Sequence, residues 1–172
     1  MTKTKFRVLF LLMMSLGAGG SAIAQLKVIS PDTLKAGETL KNGWNDLQSK
    51  NGIYRLSLQY GDLILYKWGS KGTKKEEIRE KNGKGTGSYR YVPDYGEIIL
   101  WRTRNDEPGA AIAIMQTDGN FVLYNSQKQA VWNTKTHGPS NHNSYLVLQD
   151  DGNLVIYKPN GVAMWNTKTN GK

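Results

Sequence analysis

Two short stretches of the chain carry the same polar groups at the same spacing. Gln116, Asp118, Asn120, Val122 and Tyr124 occupy alternate positions in one, and Gln149, Asp151, Asn153, Val155 and Tyr157 do so in the other. If Thr117-Asp118-Gly119 forms a three-residue hairpin loop, Gly119 takes the left-handed position and Gln116 lies opposite Asn120. Strand alternation then places Val122 and Tyr124 on the same face, with Phe121 and Leu123 turned to the core. Such a face offers donor–acceptor amides, an accepting carboxylate, a phenol and a small apolar patch. A pyranose presents the complement, with vicinal hydroxyls around a weakly apolar ring. Leaving one such group unpaired costs about 1–3 kcal/mol, enough to reject an epimer. The same residue types also brace tight turns. Identity at all five positions, while most residues between them differ, favours a shared ligand over two coincidental turns.

The elements that must hold these groups form a repeat. Residues 115–138 and 148–171 match at an offset of 33, and both copies run eight residues from Tyr to Trp, Tyr124 to Trp132 and Tyr157 to Trp165. A fixed period of this size signals a repeat architecture. An eroded third copy lies upstream at Leu58–Tyr66, with Trp101 as its indole and 27 extra residues between. Phe121–Tyr124 and Leu154–Tyr157 are short, β-branched and aromatic, bounded by Gly, Asn and Asp, and Ala111–Gln116 and Tyr145–Gln149 precede them as strands. The chain therefore reads as all-β, about a dozen short strands with approximate threefold symmetry. The eroded copy keeps Gln59, Ile64 and Tyr66, but its loop is the two residues Tyr60-Gly61, the tip carboxylate is missing, and Asp62 replaces the amide. A carboxylate accepts but cannot donate, so this site is expected to be weak or dead for a hexose.

Residues 67–97 read as a solvated excursion. The one helical suggestion, Lys74–Lys81, has Ile78 as its sole apolar residue and no stripe to pack. The segment carries eight Lys or Arg against five acids, interspersed with Trp68, Tyr89, Tyr91 and Tyr95. It could grip anionic envelope polysaccharide or nucleic acid, or simply be a soluble loop. Export argues against nucleic acid.

Export is expected from the N-terminus. Lys3, Lys5 and Arg7 precede the apolar run Val8–Leu16, and small residues lead to Ala22-Ile23-Ala24. This is the pattern of a signal peptide over 1–24, giving a secreted or periplasmic chain 25–172 with no transmembrane segment. Loss of three cations lowers the formal charge from +9 to +6. The 172 residues contain no Cys, which excludes a disulfide scaffold, a thiolate metal site and a cysteine nucleophile. Their length suits one domain. Other constellations read as ordinary surface. His137 and His142 sit in a Gly-Pro-Ser-Asn loop; Asp150-Asp151-Gly152-Asn153 lacks the register of a calcium loop; Glu76, Glu77 and Glu80 are interleaved with cations. Neither a serine elbow nor a P-loop occurs. No enzyme activity, metal or cofactor is expected.

Gln-x-Asp-x-Asn-x-Val-x-Tyr at 116–124 and 149–157 resembles the signature of the bulb-type (monocot mannose-binding) lectins. Asp32–Leu40, Ser49–Leu56 and the Trp-centred strands extend the resemblance over roughly residues 30–170. It implies a β-prism II fold, three four-stranded antiparallel sheets about a pseudo-threefold axis with the Trp side chains buried between them. It also implies metal-free recognition of mannose or mannose-containing glycans. Asp118 with Asn120, and Asp151 with Asn153, would read the axial 2-hydroxyl; Gln116 and Gln149 would serve O3, Tyr124 and Tyr157 O4, and Val122 and Val155 the ring. Family members often form homodimers by exchanging C-terminal strands, for which Val162–Lys172 is the corresponding segment. The alternative function is a lectin-like bacteriocin or protein-interaction module on the same scaffold, with sugar binding incidental.

Overall fold

The computed structural model describes residues 31–43, 45–105 and 109–172; the expected signal peptide lies outside the described residues. Twelve strands follow in order: β1 (Thr33–Leu34), β2 (Thr39–Lys41), β3 (Leu47–Gln48), β4 (Tyr54–Gln59), β5 (Asp62–Arg79), β6 (Gly85–Arg102), β7 (Ala110–Met115), β8 (Phe121–Asn125), β9 (Ala130–Asn133), β10 (Tyr145–Leu148), β11 (Leu154–Tyr157) and β12 (Ala163–Asn166). No helix long and apolar enough to cross a membrane occurs among the described residues.

Each repeat supplies three antiparallel strands, and a fourth comes from the N-terminal segment. The orders are β3-β4-β5-β6, β2-β7-β8-β9 and β1-β10-β11-β12. One stretch of 16 residues, 33–48, thus threads past all three sheets and ties them together. Strand β12 pairs with β11 of its own chain, Ile156 opposite Trp165, so this sheet is complete without a second copy.

The core follows the threefold pattern residue by residue. Leu34, Leu40 and Leu47 come from the three N-terminal strands. Leu56 and Leu58, Ala113 and Met115, Leu146 and Leu148 come from the first strand of each repeat; Leu63 and Leu65, Phe121 and Leu123, Leu154 and Ile156 from the second. Alternation sends these side chains inward, where each Leu, Ile, Met or Phe removes apolar surface from water for about 1.5–3 kcal/mol. Trp101, Trp132 and Trp165 meet edge-to-face at the axis, with centroids 5.7–6.0 Å apart. They pack against the core between the sheets but are only partly buried, less than the resemblance implied. Each indole sits on the edge strand of its sheet, so one flank has no further strand to cover it.

The excursion at 67–97 is indeed largely exposed, but it is a regular two-stranded ribbon. Strands β5 and β6 run on out of the first sheet and, through register shifts at Leu65/Tyr66, Ser70/Thr73 and Glu77/Arg79, stay paired out to Arg79 opposite Gly85. Cross-strand alternation was hard to read in the sequence because neither face of the ribbon is buried in a core. What seeds it is the core hairpin, whose ladder simply continues outward.

Candidate binding site

The two intact hairpins form as their spacing predicts. The Gln116 N–H donates to Asn120 O at 2.8 Å and the Gly119 N–H to Gln116 O at 3.1 Å; the corresponding bonds at Gln149, Asn153 and Gly152 are 2.9 and 3.0 Å. Gly119 and Gly152 have φ of +93° and +88°. A Cβ on Gly119 would lie 2.5 Å from Asn141 O, and one on Gly152 2.5 Å from the Tyr54 ring. Only glycine meets both the left-handed conformation and the close packing.

Within each hairpin the five residues divide their atoms between bracing and display. The Asp118 carboxylate accepts the Asn120 N–H at 3.0 Å through Oδ1, as Asp151 does from Asn153 at 2.8 Å. Asn120 Oδ1 accepts from Thr134 Oγ1 (3.0 Å) and the Thr136 N–H (3.2 Å); Asn153 Oδ1 accepts from Thr167 Oγ1 (3.2 Å) and the Thr169 N–H (3.3 Å). Gln116 Nε2 donates to the Tyr124 hydroxyl, and Gln149 Nε2 to that of Tyr157, both at 2.8 Å. These bonds fix four side chains without exhausting them. Each hairpin retains a carboxylate oxygen and a Gln carbonyl to accept, and an Asn amino group and a phenolic O–H to donate. Val122 and Val155, each 3% exposed, form the floor. The display is an alternation of acceptors and donors over an apolar base, held before any ligand arrives.

The threonines were the residues sequence reasoning passed over. Thr134 and Thr167 stand two residues after the repeat Trp, and their hydroxyls also accept the Phe121 and Leu154 N–H groups at 3.0 and 3.1 Å. Thr136 and Thr169 donate to the carbonyls of Gly119 and Gly152 at 2.7 Å. The signal was the identical Asn-Thr-Lys-Thr after both indoles, visible as repetition but without an assigned duty.

The first repeat keeps the bracing and loses the display. Gln59 pairs with Asp62 across the two-residue Tyr60-Gly61 turn, both of whose residues have positive φ. Asp62 takes the place of Asn120 in the scaffold. Its Oδ1 accepts from Thr103 Oγ1 and the Asn105 N–H, both at 2.7 Å, and its Oδ2 lies 3.6 Å from Arg102 Nε. Gln59 donates instead to Ser57 Oγ at 2.9 Å, where the register places Ile114 and Val147 in the intact repeats. Tyr66 is buried and reaches Gln59 Oε1 at only 3.4 Å. The Arg55 guanidinium lies 4.8 Å from the Tyr66 ring centroid and pairs with Asp46 and Glu97 at 2.8 and 2.6 Å. Burial lowers the Arg55 pKa, but hydrogen bonds and the charges of these two carboxylates outweigh it and raise it overall. Ile64 is buried, 5% exposed, beneath this cluster. The region is closed by its own side chains.

The remaining candidates resolve into structure. His137 and His142 are exposed. Asp150 accepts the Asn51 N–H at 2.8 Å, stapling the third hairpin to the 49–52 turn. Glu76 and Glu77 pair with Arg90 and Arg79. No cluster of three or more metal-binding side chains occurs among the described residues.

With this geometry in hand, comparison with known proteins is decisive. The family profile described as D-mannose binding lectin matches residues 103–170, the second and third repeats. Over these residues the chain is similar to the D-mannose binding lectins. No curated protein sequence matches it. Among solved structures, a lectin from Marasmius oreades shares 29% identity at a TM-score of 0.58, with 81% of this chain and 92% of that one covered. Monomeric monocot mannose-binding lectins from Gastrodia elata share 29% at 0.56, covering 81% and 96%. The mannose-specific agglutinin of snowdrop (Galanthus nivalis), complexed with methyl-α-D-mannoside, shares 28% at 0.50, covering 80% and 96%. The architecture of the chain is the β-prism II of those relatives. Its ribbon has no counterpart in the other two repeats.

Proposed function

We propose that the protein is an exported, metal-independent lectin that binds mannose or mannose-containing glycans at two sites, the faces carrying Gln116–Tyr124 and Gln149–Tyr157. The observation that carries this reading is the paired arrangement of donors and acceptors that remain unused after the hairpins are braced. Four ligand-facing groups over a valine floor match the hydroxyls and ring face of one hexose. The snowdrop relative, crystallised with a mannoside, supports the choice of sugar. The basic, apolar and small-residue order of 1–24 supports export.

Each site is an open face, so a few hydrogen bonds to a well-hydrated sugar should leave millimolar affinity, about −4 kcal/mol. Two faces on one chain supply avidity toward branched or polymeric glycans without requiring a second copy. Calorimetry with methyl-α-D-mannoside tests the reading. Two equivalents are expected to bind, unchanged by EDTA, and Asp118→Ala with Asp151→Ala should abolish the heat. Absence of binding by the parent chain at high millimolar ligand would overturn the assignment.

A further inference from the structure

The ribbon has two chemically different faces. Cross-strand pairing sets Tyr89 opposite Glu77, Tyr91 opposite Lys75, Pro93 opposite Thr73 and Tyr95 opposite Ser70. Residues two apart on β6 share a side, so Tyr89, Tyr91, Pro93 and Tyr95 line one face. Lys75 Nζ sits 3.9 Å from the Tyr89 ring centroid, confirming that the pair shares it. The opposite face carries the ion pairs Arg90–Glu76 and Lys74–Asp94. Tyr89, Tyr91 and Tyr95 are 52%, 74% and 62% exposed, far more than the half-buried tyrosines of the hairpins. Large exposed rings in a row mark a contact surface.

The aromatic face is continuous with a particular part of the body. Tyr66 pairs with Ile99, and Trp68 with Glu97, which bonds Arg55 over the Tyr66 ring. The stripe therefore extends the same sheet face that bears the hexose display in the other repeats. At ~3.4 Å per residue the three tyrosines span about 20 Å. That suits several sugar rings laid lengthwise rather than one hexose. Charge selects further. Lys75, Lys81 and Lys84 lie within salt-bridge distance of no carboxylate among the described residues, whereas Glu76, Glu77, Asp94 and Glu97 are each paired with a cation.

We propose that the ribbon's tyrosine face is a second glycan-binding surface, taking a linear anionic polysaccharide whose rings stack on Tyr89, Tyr91 and Tyr95 and whose acidic groups meet Lys75, Lys81 and Lys84. This rests on the reading of the chain as a carbohydrate binder, yet uses none of the hairpin residues. The closed first site thus gives way to a platform built for a polymer.

The test immobilises alginate, which bears carboxylates, and dextran sulfate, which bears sulfates, with neutral xylan and single-stranded DNA alongside. The protein should bind one or both anionic polymers more tightly than xylan or DNA. Tyr89→Ala/Tyr91→Ala/Tyr95→Ala should weaken that binding about tenfold or more. Lys75→Gln/Lys81→Gln/Lys84→Gln should weaken it at low salt and flatten its salt dependence. Indole fluorescence from the Trp101–Trp132–Trp165 cluster reports whether each variant is folded. If the tyrosine triple variant does not fold, Tyr91→Ala alone should still show about a threefold loss. Asp118→Ala/Asp151→Ala should leave polymer binding unchanged while removing mannoside binding, so failure of one surface is distinguishable from failure of the other. No binding to either anionic polymer, equal binding by folded tyrosine variants, or tighter binding to DNA would each overturn the proposal.

Discussion

The second hairpin and the first differ at a few positions, and the difference separates two duties of one side chain. Asn120 uses its carbonyl oxygen to hold Thr134 and the Thr136 N–H, leaving its amino group for a ligand. Asp62 holds Thr103 and the Asn105 N–H through the same bonds but has no hydrogen to offer. The bracing therefore survives the exchange while the donating amino group is lost. Ser57 completes the loss by drawing the Gln59 amino group away from Tyr66, a diversion that Ile114 and Val147 cannot make. The ribbon grows from the first repeat and from neither of the others.

The sharpest way to break this comparison is to remove the glutamines. Gln116→Ala with Gln149→Ala should weaken mannoside binding at both sites about fivefold or more, since each loses a hydrogen bond worth about 1–3 kcal/mol when left unmade. Gln59→Ala should leave the titration unchanged; an equal loss there would mean that the first hairpin also binds. Denaturant unfolding addresses the shared scaffold. Thr134→Val strands the buried Phe121 N–H and should cost about 1–3 kcal/mol. Thr103→Val should cost at least as much, because it removes a charge-assisted bond to Asp62 as well as the partner of the Leu63 N–H. Unchanged stability of either valine variant would contradict the bracing role of these hydroxyls.

Alkaline titration gives a smaller effect. Burial, with the nearby Glu97 charge, raises the Tyr66 pKa against the opposing influence of Arg55. The folded chain then holds this proton more tightly than the unfolded chain. The contribution is complete below about pH 10 and is lost as pH climbs through the folded value. Tyr66→Phe should flatten the decline of melting temperature above about pH 10; an identical decline would detach Tyr66 from it. Least of all is expected from Asp62→Asn. With no loop-tip carboxylate and Arg55 still over Tyr66, mannoside stoichiometry should stay at two. A third equivalent would show that the amide alone makes the site.

Much of the binding face was legible because it depends on local rules. Gln-x-Asp-x-Asn-x-Val-x-Tyr around a glycine fixes the loop, the loop fixes the register, and the register fixes which side chains share a face. The same reasoning identified the eroded copy from one missing loop residue and one exchanged amide. It could not see that Thr134 and Thr167 hold the display in place, since they return to it only after the chain has passed through another turn and strand. Nor could it give the excursion a regular form. Alternation without burial leaves little hydropathic trace, and the 3.6-residue test only removed a helix.

What the sequence determined by itself was the all-β character, the threefold repetition, the two intact hairpins and the shortened loop and exchanged amide of the first, because each is settled within a few residues. Tertiary structure decided how the short N-terminal strands close three different sheets, how Arg55 and Glu97 cover Tyr66, and that Tyr89, Tyr91 and Tyr95 extend a face begun by the core. Those depend on hydrogen-bonded partners and charges distant along the chain, which meet only after the sheets have assembled.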